Sequence, residues 1–340
     1  MIPPEKHAAV TRGMREAFGV TEFEDIRMLK DGMTSALVFR IVVRGTPYLL
    51  RITMRTDSTT ARHFACMRAA AEAGLAPRVW YTSMDDRISI TDFVEAVPFP
   101  QADALLRMPS VLRSLHALPP FPSAPNHLNT TCTFLLNKGP ALDGFFQMIQ
   151  SANLLPNDAS EELFARYAEI AAVYPRHDTD MVSCHNDFFK PDNILFDGDR
   201  VRLVDWEAAF LNDRYAELAV VANQLVNNEA EERIFLQTYF GQPPDEYQQA
   251  RLFLMQQVAH IFYALVFLLQ GSSGVPVNLS EEAPAYRDFH RQFWAGEVKL
   301  EDKPAKAVYG RVHLDRLLES TRLSRFKESL RIVADRYAPL

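Results

Sequence analysis

The residues whose types and spacing most clearly suggest chemistry lie between Ser183 and Phe210, in SCHNDFFKPDNILFDGDRVRLVDWEAAF. Asp187, in His185-Asn186-Asp187, is a carboxylate in a polar loop and can accept the proton of an alcohol. Asn193 and Asp205 bring oxygen donors of the kind that hold magnesium on nucleotide phosphates. Phosphoryl transfer to a hydroxyl needs these parts in this order. Their spacing also says how they are held: Ile194-Leu195-Phe196 is an apolar run, Asp197-Gly198-Asp199 a tight turn, and Val201-Arg202-Leu203-Val204 a returning run that ends at Asp205. In such a β-hairpin Asn193 enters and Asp205 leaves at the same end.

The elements that must carry this segment can be read around it. Residues 7–18 have the pattern of a short helix, and 26–29, 36–43 and 46–52 that of strands, the last two separated by the hairpin signal Arg44-Gly45. A helix over 59–73 ends at Gly74, placed as a C-cap, with Pro77 beyond it. Strands over 78–82 and 87–91 flank an Asp85-Asp86 turn, and Pro98 and Pro100 mark a hinge region. Beyond it the pattern is mainly helical: 103–118, 160–174, 215–227, 229–240, 244–269, 283–294 and 314–337, with a long connection over 119–140. Asp213 suits a helix N-cap and Glu217 a first-turn carboxylate, both read as structural.

This arrangement resembles the protein-kinase-like fold, in the branch of choline and ethanolamine kinases and aminoglycoside phosphotransferases. In that branch the loop reads His-x-Asp with a following Asn, and the second motif is Asp-aromatic-Glu, here Asp205-Trp206-Glu207. The resemblance implies an α+β, two-lobe fold, with a small antiparallel-sheet N-lobe over 1–95, a mainly helical C-lobe over 96–340 and the nucleotide in the cleft between them. It implies ATP and Mg2+, with Asp187 as catalytic base, His185 as a brace for the loop, and Asn193 and Asp205 as magnesium ligands.

The same resemblance gives roles to residues outside this segment. Arg51, in Leu49-Leu50-Arg51-Ile52, takes the place of the nucleotide-phosphate lysine; as a cation inside an apolar strand it either points outward or meets an anion. Asp31-Gly32-Met33-Thr34-Ser35 is similar to the phosphate loop of choline kinases, with Thr34 and Ser35 beside the phosphates, or it is a plain hairpin turn. Asp92, Phe93 and Val94 fall in the adenine-binding connector, where backbone groups do the reading, and Phe93 is otherwise core. Residues 259–266 resemble the helix that walls the choline site. The substrate side would then be Tyr263, Phe289, Trp206 and Glu207, unless the aromatics at helical spacing are core.

Two positions depart from the family pattern. Asn193 stands six residues after Asp187 where five is usual, and Asp192 holds the usual offset; strand register favours Asn193 and puts the extra residue in the loop over 188–192. The Glu that normally orients the phosphate cation is replaced by His63, leaving Glu72 as another carboxylate on that helix. Three activities stay open. They are a choline- or ethanolamine-type kinase, an aminoglycoside or other metabolite phosphotransferase, and a nucleotide-binding regulator with little turnover.

Composition narrows the rest. With 340 residues, 48% hydrophobic and 23% charged, the chain is ordinary globular material with length for a large core or two lobes. A net charge of -7 argues against a general nucleic-acid binder, so small-molecule substrates fit better, and the resemblance implies an alcohol or amino alcohol. Cys66, Cys132 and Cys184 are widely spaced and make neither a disulfide framework nor a metal motif, which suits a reducing cytoplasm. The first twenty residues lack a signal-type apolar core, and the most apolar stretch, 258–269, is too short to span a bilayer and contains His260 and Tyr263, so no membrane partner is expected. The oligomeric state is not set by the sequence.

Overall fold

The computed structural model describes residues 2–29, 36–54, 59–123, 151, 154–175, 181–272, 274 and 276–337. The chain divides into two compact units, one of residues 1–99, 117–122 and 192–210, the other of residues 100–116, 123–191 and 211–340.

The first unit is built on an antiparallel sheet of five strands in the order β1-β2-β3-β5-β4. They are β1 (Asp25–Leu29), β2 (Ala36–Val43), β3 (Thr46–Thr53), β4 (Val79–Ser83) and β5 (Ile88–Asp92), each within one residue of its expected bounds. Alternation puts Phe39, Ile41 and Val43 of β2, Leu50 and Ile52 of β3, and Ile88 and Ile90 of β5 in one core with Ala9, Val10 and Met14 of helix α1 (His7–Phe18). Each Leu, Ile or Phe buried there contributes roughly 1.5–3 kcal/mol. Arg44 and Gly45 both take positive φ, 50° and 72°, which gives a two-residue turn whose twist matches that of the strands.

Helix α2 (Thr59–Glu72) ends as its sequence predicts. The Leu75 N–H donates to the Ala70 carbonyl at 2.8 Å and Gly74, at φ 74°, donates to Ala71 at 3.0 Å, the hydrogen-bond pattern of a Schellman cap. That turn also anchors the hairpin that follows Asn193, β7 (Ile194–Phe196) and β8 (Val201–Leu203). Leu203 N–H donates to the Leu75 carbonyl at 2.8 Å and Val97 N–H to the Phe196 carbonyl at 2.7 Å, so the hairpin belongs to the same unit as the sheet.

The second unit is mainly helical: α3 (Gln101–His116), α4 (Asn157–Val173), α5 (Arg214–Leu225), α6 (Glu229–Phe240), α7 (Glu246–Gly271), α8 (Tyr286–Trp294), α9 (Lys303–Thr321) and α10 (Ser324–Tyr337), with a small pair of strands β6 (Met181–Cys184) and β9 (Phe210–Asp213). Helix α7 is 26 residues long and apolar enough to cross a membrane by length and composition, but 78% of its most apolar stretch is buried inside the protein. Helices α5, α9 and α10 pack against it. The expected connection over 119–140 lies mostly outside the described residues.

The single helix expected over 314–337 is a pair of helices, α9 and α10, and α9 begins eleven residues earlier than expected, at Lys303. Its start is capped by Asp302, whose carboxylate accepts from Ala305 N–H at 2.8 Å, with Pro304 in the first turn. The buried side of α9 includes Tyr309, Gly310, His313, Ser320 and Thr321, which blurs the apolar periodicity that would have marked it.

Gly310 is required where α9 meets α7. A Cβ there would lie 2.6 Å from the main-chain nitrogen of Leu268 and 3.0 Å from the Ala264 carbonyl oxygen. Alanine favours a helix over glycine by about 1 kcal/mol, yet the clash is with backbone and cannot be relieved by a rotamer change. Gly310→Ala is therefore expected to lower stability by about 1–3 kcal/mol, read as a lower urea midpoint. An unchanged midpoint would show that the two helices do not approach this closely.

Candidate active site

In the second unit, β6 leads into the His185-Asn186-Asp187 loop. His185 is fully buried and its ring stacks on Phe188 at 4.6 Å, 13° from parallel. Asn186 adopts φ 64°, a conformation that side chains other than glycine seldom take. It is held there from several directions: its N–H donates to Glu217 Oε1 at 2.7 Å, its amide donates to the Cys184 carbonyl at 3.3 Å, and Asn212 Nδ2 donates to its Oδ1 at 2.6 Å. The other Glu217 oxygen is 2.8 Å from His116 Nε2, and His116 Nδ1 is 2.6 Å from the Tyr239 hydroxyl. Gln224 Nε2 donates to the Phe188 carbonyl at 2.6 Å. The backbone on both sides of Asp187 is thus fixed by buried side chains, while Asp187 itself directs Oδ2 to Lys190 Nζ at 3.1 Å.

In the first unit, Asn193 is buried and closes a short 3-10 turn, Pro191–Asn193, whereas Asp192 is exposed. Asn193's carbonyl accepts from Val204 N–H at 3.0 Å, extending the ladder from the Ile194–Leu203 pair, so Asn193 and Asp205 flank one end of the hairpin. Asp205 takes φ 66° and ψ 64°, which turns the chain sharply into Trp206–Ala208. Arg51 lies on β3 with Val38 and Ser89 as its partners on the two sides, so its strand is internal to the sheet. Because neighbouring Leu50 and Ile52 fill the core, Arg51 faces the other way. There its guanidinium meets an anion: it is 3.3 Å from Asp205 Oδ1 and also hydrogen-bonds Glu207 Oε1. Arg62 of α2 donates to the Glu207 main-chain carbonyl at 2.8 Å. His63 is buried, and Glu72 is exposed at the far end of the helix.

The remaining expected site residues are placed as follows. Thr34 and Ser35 lie outside the described residues. Asp92 accepts from the Trp80 indole at 2.7 Å, the Phe93 ring has the Arg40 guanidinium 5.3 Å away, and Val94 follows them half-buried. Trp206 is 1% exposed; its indole donates to the Leu203 carbonyl at 3.2 Å and its ring meets Phe121 edge-on. Tyr263 and Phe289 are buried in one aromatic cluster, 6.3 and 5.6 Å from Tyr309, and Phe189, two residues after Asp187, packs on Tyr263 at 5.5 Å.

Four residues that bear on the site were not singled out for function from sequence: His116, Lys190, Arg62 and, read only as a helix-start carboxylate, Glu217. Glu217 sits between Ala216 and Leu218 on a helix buried on all sides, and a carboxylate there needs a strong partner. Its surroundings were the available signal.

An antiparallel five-stranded sheet, a helical second unit and this hairpin together make the protein-kinase-like fold. Residues 25–253 match the phosphotransferase enzyme family called APH, and the chain belongs to that family. Among solved structures it is similar to a choline/ethanolamine kinase family protein from Mesorhizobium loti, at TM-score 0.67 and 18% identity, covering 97% of this chain and 99% of that one. It is also similar to choline kinase from Cryptosporidium parvum, at TM-score 0.59 and 12% identity, with 92% of each chain covered. A third likeness, at TM-score 0.56 and 16% identity over 85% of this chain and 99% of the other, is to APH(2")-IIa in a ternary complex with streptomycin and ATP. No curated protein matches the chain. At these identities the structural likenesses establish the fold, and the family match places the chain in a phosphotransferase family.

Proposed function

We propose that this protein transfers the γ-phosphoryl group of ATP to the hydroxyl of a small molecule. The observation that carries the reading is Arg51. A cation on an internal strand sits on the carboxylates of Asp205 and Glu207, so a phosphate-binding group and a metal-binding group occupy one place. The Asp205 carboxylate and the Asn193 amide are hard oxygen donors, the type Mg2+ takes, and would hold it. Bound there, Mg2+ supplies charge neutralisation on the nucleotide phosphates. Arg51 has five N–H donors, enough to serve a phosphate and a carboxylate together.

In the reaction the acceptor oxygen forms a bond to the γ-phosphorus as the bond to the β,γ-bridging oxygen breaks. The hydroxyl proton passes to Asp187, and ADP leaves. Lys190, 3.1 Å from Asp187 Oδ2, sets a cation beside the carboxylate that receives the proton. The Glu217–Asn186 hydrogen bond keeps the loop backbone in its unusual conformation without taking part in the chemistry.

For the acceptor we favour a primary or secondary amino alcohol or a neutral alcohol over choline. A quaternary ammonium needs open aromatic faces. Tyr263 is instead packed by Phe189, Phe262, Phe267 and His313, and position 266 is Val. The test is ADP release over a panel of amino alcohols, aminoglycosides and sugars. Turnover of at least one acceptor other than choline is expected. Micromolar saturation by choline with the rest inert would restore a plain choline kinase, and no turnover with any acceptor would leave the nucleotide-binding regulator.

A further inference from the structure

The helix that follows the phosphate-cation strand carries no carboxylate where one is expected. From Thr59 to Ala71 it has no acidic residue, and Glu72, at its end, is exposed. Arg51 nevertheless has an anionic partner, and that partner comes from the metal motif, 156 residues away in sequence. Arg51 and Glu207 are both largely shielded, at 12% and 29% side-chain exposure, so the pair is not a solvated surface contact. The same glutamate is gripped a second time, by Arg62 on its main-chain carbonyl at 2.8 Å.

We propose that Glu207 is the counter-carboxylate that aims Arg51 at the nucleotide phosphates, and that Arg62 is a positioning residue that fixes Glu207. The inference rests on the phosphotransferase reading and assigns Glu207 a role in the nucleotide half of the site instead of the acceptor half. The coupling between helix and cation is reversed in sign: the helix supplies a guanidinium, and the carboxylate rides on the Asp205-Trp206-Glu207 turn. A helix anion is then not needed, and His63 at that position is no defect. The physical logic is economy of motion. If the Asp205 carboxylate held a metal ion, Arg51 would lose that partner but could keep Glu207, so its side chain would stay oriented. Arg62 hydrogen-bonds a carbonyl, which cannot titrate or rotate away independently of the turn.

The test uses the whole chain with Glu207→Gln, Arg51→Gln, their double variant, Arg62→Gln, Arg62→Lys and, as a control, Glu72→Gln. With an acceptor found by the panel above, Glu207→Gln is expected to lower kcat by roughly ten- to a hundredfold with the acceptor KM unchanged, and the double variant should be no worse than the poorer single one. Arg62→Gln should lower kcat several-fold, Arg62→Lys should recover most of it, and Glu72→Gln should do nothing. Without nucleotide, Arg62→Gln should speed amide hydrogen exchange over 205–209, and the urea midpoints of the Arg51 and Glu207 variants should be non-additive. A raised acceptor KM with unchanged kcat in Glu207→Gln would return Glu207 to the acceptor side and overturn the proposal, as would additive midpoints. If the wild-type chain turns over no acceptor, the phosphotransferase reading fails. The exchange and midpoint measurements still decide this one.

Discussion

Asp187→Asn is expected to lower kcat by roughly 10²- to 10⁴-fold while nucleotide binding and thermal stability stay near those of the wild type. Asparagine has the shape of aspartate and keeps an oxygen for the Lys190 ammonium, but it cannot take a proton. The loop is held by other side chains. His185 stacks on Phe188, Glu217 holds the Asn186 N–H, and Gln224 holds the Phe188 carbonyl, all within the second unit. Loss of the Asp187–Lys190 pair, with side chains 14% and 25% exposed, removes on the order of 1 kcal/mol at most. The measurement is kcat with a panel acceptor beside a nucleotide titration and a melting curve on the same preparation. Turnover near the wild-type rate would remove Asp187 from the mechanism, and a collapsed melting temperature would make it a folding residue.

How much of this was visible in the chain depends on how local each cause is. The hairpin between Asn193 and Asp205 is set by neighbours in sequence: an apolar run, an Asp-Gly turn and a second run. Its register placed Asn193 beside the strand, and the structure has Asn193 buried and Asp192 exposed. The five strands, helix α1 and the Gly74 cap are equally local and were legible for the same reason. Partners far apart in sequence were not. Arg51 had to point outward or find an anion, and only the folded sheet shows that the anion is the Asp205-Trp206-Glu207 turn. Glu217 has the look of a helix-start carboxylate until His116, 101 residues earlier, and the Asn186 N–H are seen on its two oxygens. Helix α9 failed differently, because glycine and polar residues on its buried side hide its period. The likeness of residues 259–266 to a choline helix reads side-chain types only. The packing of Tyr263 depends on α9, whose contribution the sequence did not announce.

That same packing makes the second unit sensitive to mild acid. His260, His290 and His313 are each 2% exposed and meet in the aromatic cluster around Tyr286 and Tyr309. Burial drives their pKa values down, His290 from 6.5 to about 4 and the other two well below 6.5, and the Arg287 and Arg316 cations reinforce it for His260. Hydrogen bonding agrees: His260 Nδ1 and His313 Nδ1 stand 3.0 Å apart, so one ring donates and the other accepts, and protonating the acceptor would set two N–H groups against each other. The bond that His290 Nδ1 donates to the Tyr286 carbonyl at 3.0 Å acts the other way and raises its value, but burial outweighs it. The folded-state values lie below the unfolded value, so the unfolded chain binds protons that the native protein refuses. The stability is full above about pH 6.5 and is lost progressively as pH falls from there toward 4. Each pH unit below the unfolded value costs about 1.4 kcal/mol for a group that stays neutral, which is a sizeable part of the stability of many domains. The melting temperature is therefore expected to fall steeply between pH 6.5 and 5, above the range in which ordinary carboxylates titrate. His290→Leu, which removes one of the three, should flatten that slope. A melting temperature level across this range would mean that the three rings accept protons in the folded state, and the cluster would then have to be open to water.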